Sequence, residues 1–301
     1  MAGRFFKKAL DAASGALAVA VLGAIKRTDR NRTARRAGAL MRRVGPLFKE
    51  HRLGRENLRA AYPEKSAAEI EQILAGVWDN LGRVAVEFAH LDEFHIQASG
   101  PSMPGSIMLS PETAERYRRI KAAGLPVIGF GAHLANWEIP ALAVKALGFE
   151  SAVLYRRPNV GAIGDVIVRL REPLMGELVP TSLSAPLQLV RLLQSGVHVG
   201  LLADQHFTKG VEVTFFGRPC KANPLIALLA RQTGYPIHGL RVVRLPDGDR
   251  FWGEITDPIE PPQDADGRID IKATMQAITA VIEGWVREQP EQWLWLHRRW
   301  R

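Results

Sequence analysis

The chain has 301 residues, 47% of them apolar, which is enough for a sizeable core and too apolar for a disordered polymer. Its single cysteine, Cys220, excludes an intrachain disulfide and any CxxC metal or redox motif, and fits a reducing compartment. The net charge of +9 is matched by residues 26–59 alone, where twelve Lys and Arg stand against three Asp and Glu. A patch this dense suits anionic lipid head groups, nucleic acid or an acidic carrier protein, and the plain alternative is a solvated helix face.

In chain order, residues 9–25 come first, nearly all apolar or small, with only Asp11 charged. As a helix they span about 26 Å at 1.5 Å per residue, just short of a hydrocarbon core of about 30 Å. They read as a short transmembrane or partly inserted anchor, with a buried core helix as the alternative. The run lacks a clean small-residue cleavage site and is followed by Lys26 and Arg27, as in a retained anchor rather than a removed signal peptide. The heavier positive charge on that side places the main body in the cytoplasm. Ser66-Ala67-Ala68-Glu69 has the form of a capping box, and Ile70, Ile73, Leu74, Val77, Trp78, Leu81 and Val84 follow at helical spacing. Residues 26–91 therefore read as helical throughout, and the Pro- and Gly-rich residues 100–105 mark a boundary. The expected organisation is an anchor over 1–25, a basic helical segment over 26–98 and an α/β domain over 99–301.

Beyond the boundary, short apolar runs alternate with helical stretches, the rhythm of an α/β fold with a central sheet flanked by helices. Strands are predicted at 126–131, 151–156, 177–180, 198–203, 211–216, 236–243 and 251–255. A last long helix is predicted at 271–288, stopped near Pro290. Cys220 falls in an expected turn after the fifth strand and reads as structural rather than nucleophilic. The closing residues 293–301 mix Trp with Arg, which suits either a membrane interface or aromatic packing against the core.

The chemistry concentrates in Gly131-Ala132-His133-Leu134-Ala135-Asn136-Trp137-Glu138. His133 is expected at the carboxyl end of a sheet strand, where open α/β sheets place ligands, with Asn136 capping a helix that starts at Trp137. Two residues five apart on one helix would point about 140° apart at 3.6 residues per turn. With His133 in the loop and Glu138 on the first helical turn, the carboxylate can instead accept a hydrogen bond from one imidazole nitrogen and leave the other as a general base. His51 and Glu56 share this spacing without a strand before them, so spacing alone decides little. Leu134 stands where a dinucleotide fingerprint needs its third glycine, and no G-x-S-x-G elbow occurs, which argues against a Rossmann cofactor site and a serine hydrolase.

Four segments in order then resemble the lipid A secondary acyltransferases, a family of lauroyl and myristoyl transferases with a glycerol-phosphate acyltransferase-like fold. They are residues 57–64 (NLRAAYPE), 133–138 (HLANWE), 201–205 (LLADQ) followed by Phe215-Phe216-Gly217, and 290–293 (PEQW) with 297–300 (HRRW). The resemblance implies transfer of a fatty acyl chain from an acyl carrier protein thioester to a hydroxyl of a Kdo-bearing lipid A precursor at the inner membrane, with anionic lipids as further partners, no nucleic acid, and no metal or prosthetic cofactor. It implies His133 as base and Glu138 as the group that orients it. Arg169 and Arg171 both match the family's arginine and become candidates for phosphate or oxyanion contact. Asp204 is a candidate substrate contact near the same sheet edge, with a turn-forming role as the alternative. His206 replaces the second acid of the family's D-Q-D form, and Arg218-Pro219-Cys220-Lys221 departs from its pattern, so acceptor or chain-length preference can differ. The rival expectations are acylation of a different phosphoglycolipid, or a non-catalytic basic protein that binds membrane or nucleic acid.

Overall fold

Helix capping organises the first hundred residues. In the computed structural model, which describes residues 2–97, 103, 105–157 and 161–300, helix α1 (Ala2–Lys26) is followed by α2 (Arg30–Val44), whose N-cap Asp29 accepts from Arg32 N. Helix α3 (Lys49–Ala61) precedes α4 (Ala67–Glu87), which starts with the reciprocal Ser66–Glu69 capping box expected from the sequence. Glycines let α2 and α4 pack backbone to backbone. A Cβ on Gly82 would lie 2.6 Å from Ala37 O, and one on Gly38 would lie 2.6 Å from Asp79 Oδ1. Burying that seam leaves Arg32, Arg35, Arg36, Arg42 and Arg43 on the outer face of α2. The basic stretch is thus solvated, with part of its charge neutralised by Arg35–Asp249, Arg42–Asp79 and Arg55–Glu71 pairs.

The remaining elements are β1 (His95–Gln97), β2 (Ser106–Leu109), α5 (Pro111–Ala123), β3 (Ile128–Gly131), α6 (Ile139–Ala146), β4 (Ser151–Tyr155), α7 (Gly161–Met175), β5 (Glu177–Pro180) and α8 (Ala185–Gln194). They continue with β6 (His198–Leu202), β7 (Val211–Phe215), β8 (Arg218–Ala222), α9 (Leu225–Thr233), β9 (Ile237–Arg244), β10 (Phe251–Ile255) and α10 (Ile271–Glu288). Eight strands form one mixed sheet in the order β1-β2-β10-β9-β3-β6-β4-β5, antiparallel only between β9 and β10, while β7 and β8 form a separate hairpin. The mixed α/β architecture with a central sheet flanked by helices is the one expected.

Alternation along the strands divides the sheet into two unlike faces. Ile128, Phe130, Val199 and Leu201 are buried in the main core, where Phe130 stacks on Trp285 of α10 with ring centroids 5.6 Å apart. The alternate positions on β3 and β6 include Gly129, Gly131 and Gly200, so the face toward α5 and α6 is lined by small residues and left partly open.

Each of the seven predicted strands lies within two residues of its expected ends, and three short strands were not expected. One of them, β8, holds Cys220 opposite Val213 rather than in a turn; burial pushes its thiol pKa up and keeps it inert. The boundary expected at 100–105 falls largely on residues 100–102 and 104, outside the described residues. Leu58, Ile70 and Leu74 of the helical segment share one apolar cluster with Trp293 and Trp295. The closing tail packs inward, since Trp293, Trp295 and Arg299 are almost wholly buried. Among the described residues no helix is long and apolar enough to cross a membrane. On α1, Leu17, Val19 and Val21 are exposed.

The α2–α4 seam gives a test of the helical segment. In Gly82→Ala, the gain in helix propensity of about 1 kcal/mol is outweighed by overpacking against the Ala37 carbonyl, typically about 1–3 kcal/mol. Urea unfolding should show a lower midpoint for this variant, whereas Gly284→Ala, on α10 with open space around it, should not lose stability.

Candidate active site

The register between two parallel strands builds the centre of the site. β3 pairs with β6 so that Gly131 lies beside Leu202, and His133 and Asp204 each follow two residues later. The two side chains therefore leave the sheet edge side by side, although 71 residues separate them. His133 Nδ1 donates to Asp204 Oδ1 at 2.8 Å, and Asp204 Oδ2 accepts from the His133 backbone N–H and from Trp293 Nε1, each at 2.8 Å. With Nδ1 donating, Nε2 is the free acceptor; the Gln205 side-chain amide lies 3.3 Å from it.

These contacts set the charges. Burial alone would raise the Asp204 pKa, but the neighbouring imidazole and its hydrogen bonds hold it well below the ordinary carboxylate range. Burial works against the charged form of His133, and the Asp204 and Glu138 carboxylates outweigh burial and the Arg171 charge, so its pKa is raised above 6.5. The result is a basic imidazole backed by a permanently ionised carboxylate, the arrangement of a general base.

The loop that carries His133 is held from behind. Ala135 adopts a positive φ of 48°, a conformation costing about 1–3 kcal/mol when the surroundings enforce it. Its N–H donates to Gln292 O, its carbonyl accepts from Asn80 Nδ2, and the Leu294 N–H donates to His133 O. Beneath it, Glu87 forms a buried pair with Arg244 and accepts from Asn136 Nδ2 at 2.9 Å, while Arg244 Nε donates to Asn80 Oδ1 at 3.0 Å. Asn136 Oδ1 accepts from the Glu138 N–H, and α6 begins at Ile139, two residues later than expected from the sequence.

The expected residues separate on this geometry. The hydrogen bond that the imidazole was expected to donate to Glu138 is accepted by Asp204 instead. Glu138 lies just before α6 and faces α7, where Arg171 grips both of its carboxylate oxygens, Nε to Oε2 at 2.7 Å. Arg171 thus joins the site, resting over the Phe88 ring. Arg169 does not: it is exposed and borders a different groove, formed with α1. Asp204 is buried with both oxygens engaged, Oδ1 by His133 Nδ1 and Oδ2 by the His133 N–H and Trp293 Nε1. His51 bonds to Glu71 and Trp78, and Glu56 pairs with Arg52, so the second His-x4-acid match is structural. Sequence reasoning missed Trp293 and Gln205 as site members, although each lies in a segment that carries the resemblance.

A cavity of about 540 Å³ opens beside His133 and runs along the small-residue face of the sheet beneath α5 and α6. Its walls are mostly apolar, among them Ala141, Val144, Val153, Leu154 and Leu240. Polar groups gather at the His133 end, where Glu138, Arg156, Arg171 and Gln205 border it. Such a shape suits a long apolar ligand with a reactive head at the polar end.

In a direct comparison with curated proteins, none matches the chain. A family model does, across residues 6–301, and its description is bacterial lipid A biosynthesis acyltransferase. With a match over nearly the whole length, the chain belongs to the bacterial lipid A biosynthesis acyltransferase family and is an acyltransferase.

Proposed function

We propose that this enzyme moves a fatty acyl chain from an acyl carrier protein thioester to a hydroxyl of a Kdo-bearing lipid A precursor, with His133 as general base. The observation that carries the proposal is the His133–Asp204 pair at the polar end of a long apolar cavity. The donor chain lies in the cavity with its thioester beside His133. The acceptor hydroxyl displaces the Gln205 amide and donates to Nε2. As Nε2 takes the proton, the oxygen attacks the thioester carbonyl; the tetrahedral intermediate then expels the carrier thiolate, which takes the proton back from Nε2. Asp204 keeps the imidazole in the correct tautomer and offsets its positive charge while it is protonated. Arg171, tied down by Glu138, supplies a fixed positive charge beside the reacting carbonyl.

The exposed Arg156 and Arg157 at the cavity mouth, together with the solvated basic face of α2, suit lipid phosphates and an acidic carrier. We place the enzyme at the cytoplasmic face of the inner membrane. The exposed apolar residues of α1 support a helix lying in the interface, with its cationic end at Lys26 and Arg27 among head groups.

Membranes containing the enzyme, supplied with carrier thioesters and a Kdo-bearing precursor, should yield acylated lipid, and His133→Ala should lose about 10²–10⁴-fold in rate. Equal transfer by wild type and variant would refute the proposed base. Acylation of another phosphoglycolipid in place of the precursor would refute the acceptor. Only the neutral imidazole accepts a proton, and the His133 pKa is raised, so kcat/KM should climb with pH through a midpoint above 6.5. Asp204→Asn removes the main opposing charge; its midpoint should move to lower pH while kcat falls. Glu138→Gln and Arg171→Ala break one ion pair, so the double variant should lose far less than the product of the single losses, a coupling of about 0.5–3 kcal/mol in a rate cycle.

A further inference from the structure

Gly200 occupies the middle of β6, a central strand, where a glycine weakens pairing and packs nothing. Two neighbouring glycines on the same face have a packing reason to lack a side chain. A Cβ on Gly129 would lie 2.9 Å from Leu240 Cδ1, and one on Gly131 would lie 3.2 Å from Leu202 Cδ2. At Gly200 a Cβ would meet nothing within 4 Å, and its φ is not among the positive ones. Neither contact nor backbone geometry therefore requires glycine there. The space beyond its Cα is the cavity itself.

The register places this gap along the path of a bound chain. Gly200 lies beside Gly129, two residues before the end of β3, so it sits ~7 Å below the sheet edge from which the His133 loop leaves, at ~3.3 Å per strand residue. The cavity continues past it for about two residues more, or ~7 Å, to a floor at the other end of the strands. There Val127 N donates to His198 Nδ1, and Phe149 packs edge-on against the His198 ring with centroids 4.9 Å apart, with Tyr117 behind it. Burial lowers the His198 pKa, so the floor is closed by a neutral ring.

We propose that the absence of a side chain at Gly200 opens the lower part of the cavity, which makes this position a determinant of acyl chain length. The proposal rests on the assignment of the cavity to the donor acyl chain. A side chain at 200 would project across the channel between Val153 on β4 and Gly129 on β3, the residues that flank Gly200 in register. The terminal methylenes of a long chain would lose their place, while the thioester end would still reach His133. Shorter donors would be unaffected.

The test compares wild type, Gly200→Ala and Gly200→Met with a ladder of carrier thioesters differing in acyl length. Gly200→Met should lose at least about tenfold in kcat/KM for the longest donor that wild type uses and shift its optimum toward shorter chains, since one methylene in an apolar pocket is worth about tenfold or more. Gly200→Ala should shift the same way by less, and it covers the case in which the methionine variant fails to fold. A second ladder of free fatty acids, read as the rise in Tm each produces, reports the depth of the cavity without catalysis; in the variants the gain should stop at a shorter chain. An active Gly200→Met with the wild-type length profile would overturn the proposal, as would an unchanged fatty-acid ladder. If wild type transfers no acyl group yet the fatty-acid ladder shortens in the variants, the depth assignment stands and the proposed transfer reaction falls.

Discussion

The parallel pairing of β3 with β6 is the constraint on which the site depends. Because Gly131 lies beside Leu202, the loops after these strands emerge at one level, and the same two-residue step brings His133 and Asp204 together. A slip of one residue would turn each side chain to the opposite face of the sheet. The side that faces the core resists such a slip, since Phe130 and Leu201 are buried there and Phe130 is stacked on Trp285. The geometry of the His133–Asp204 pair is thus fixed by core packing on the far side of the sheet.

Placing Asp204 in a dry site requires donors for its oxygens, because an unpaired buried carboxylate would simply take up a proton. Two come from His133 itself and the third is the Trp293 indole, delivered by the C-terminal tail. That tail also receives the Asn57 side chain at Trp295 O and His297 O, so the N-terminal helices, the tail and the His133 loop are bound into one unit. The buried Glu87–Arg244 pair belongs to the same unit. Such a pair adds little net stability compared with an apolar packing, but removing one partner strands the other charge. Its value here is directional, since its fixed donors and acceptors, with Asn80, Asn136 and Gln292, hold Ala135 in an unfavourable conformation and the loop in one shape.

Much of this fold was legible in the sequence because its elements carry local signals. The Ser66–Glu69 box, the apolar run of β3 and the helix before Pro290 each depend on neighbours in sequence, and each appears where expected. His133 stood out for the same reason, as a histidine just after a buried strand. Its partner was misjudged because spacing offers only nearby carboxylates, and Glu138 is nearer in sequence than Asp204. What separates them is long-range: strand order brings Asp204 alongside, and α7 offers Glu138 a guanidinium. The short strands β1, β2 and β8 lack alternating apolar runs of their own and owe their form to pairing with other strands. Trp293 and Trp295 left two choices open, interface or core, that only tertiary packing decides.

The electrostatic balance at the mouth follows from the same long-range placement. Arg171 alone beside His133 would depress the imidazole pKa and weaken the base, and Glu138 alone would raise it further and leave more of the imidazole protonated. Held together, they act on the ring in opposite directions, while burial opposes its charge and Asp204, the nearest carboxylate, favours it. The guanidinium remains beside the cavity, where the proposed reaction would develop negative charge on an attacked carbonyl oxygen. A preorganised cation is effective there because it needs no rearrangement as the charge forms, and Glu138 supplies that preorganisation by gripping two nitrogens of the guanidinium at once. The carboxylate expected to orient the imidazole thus holds the guanidinium instead, and the two acids divide between partners: Asp204 pairs with His133 and Glu138 with Arg171.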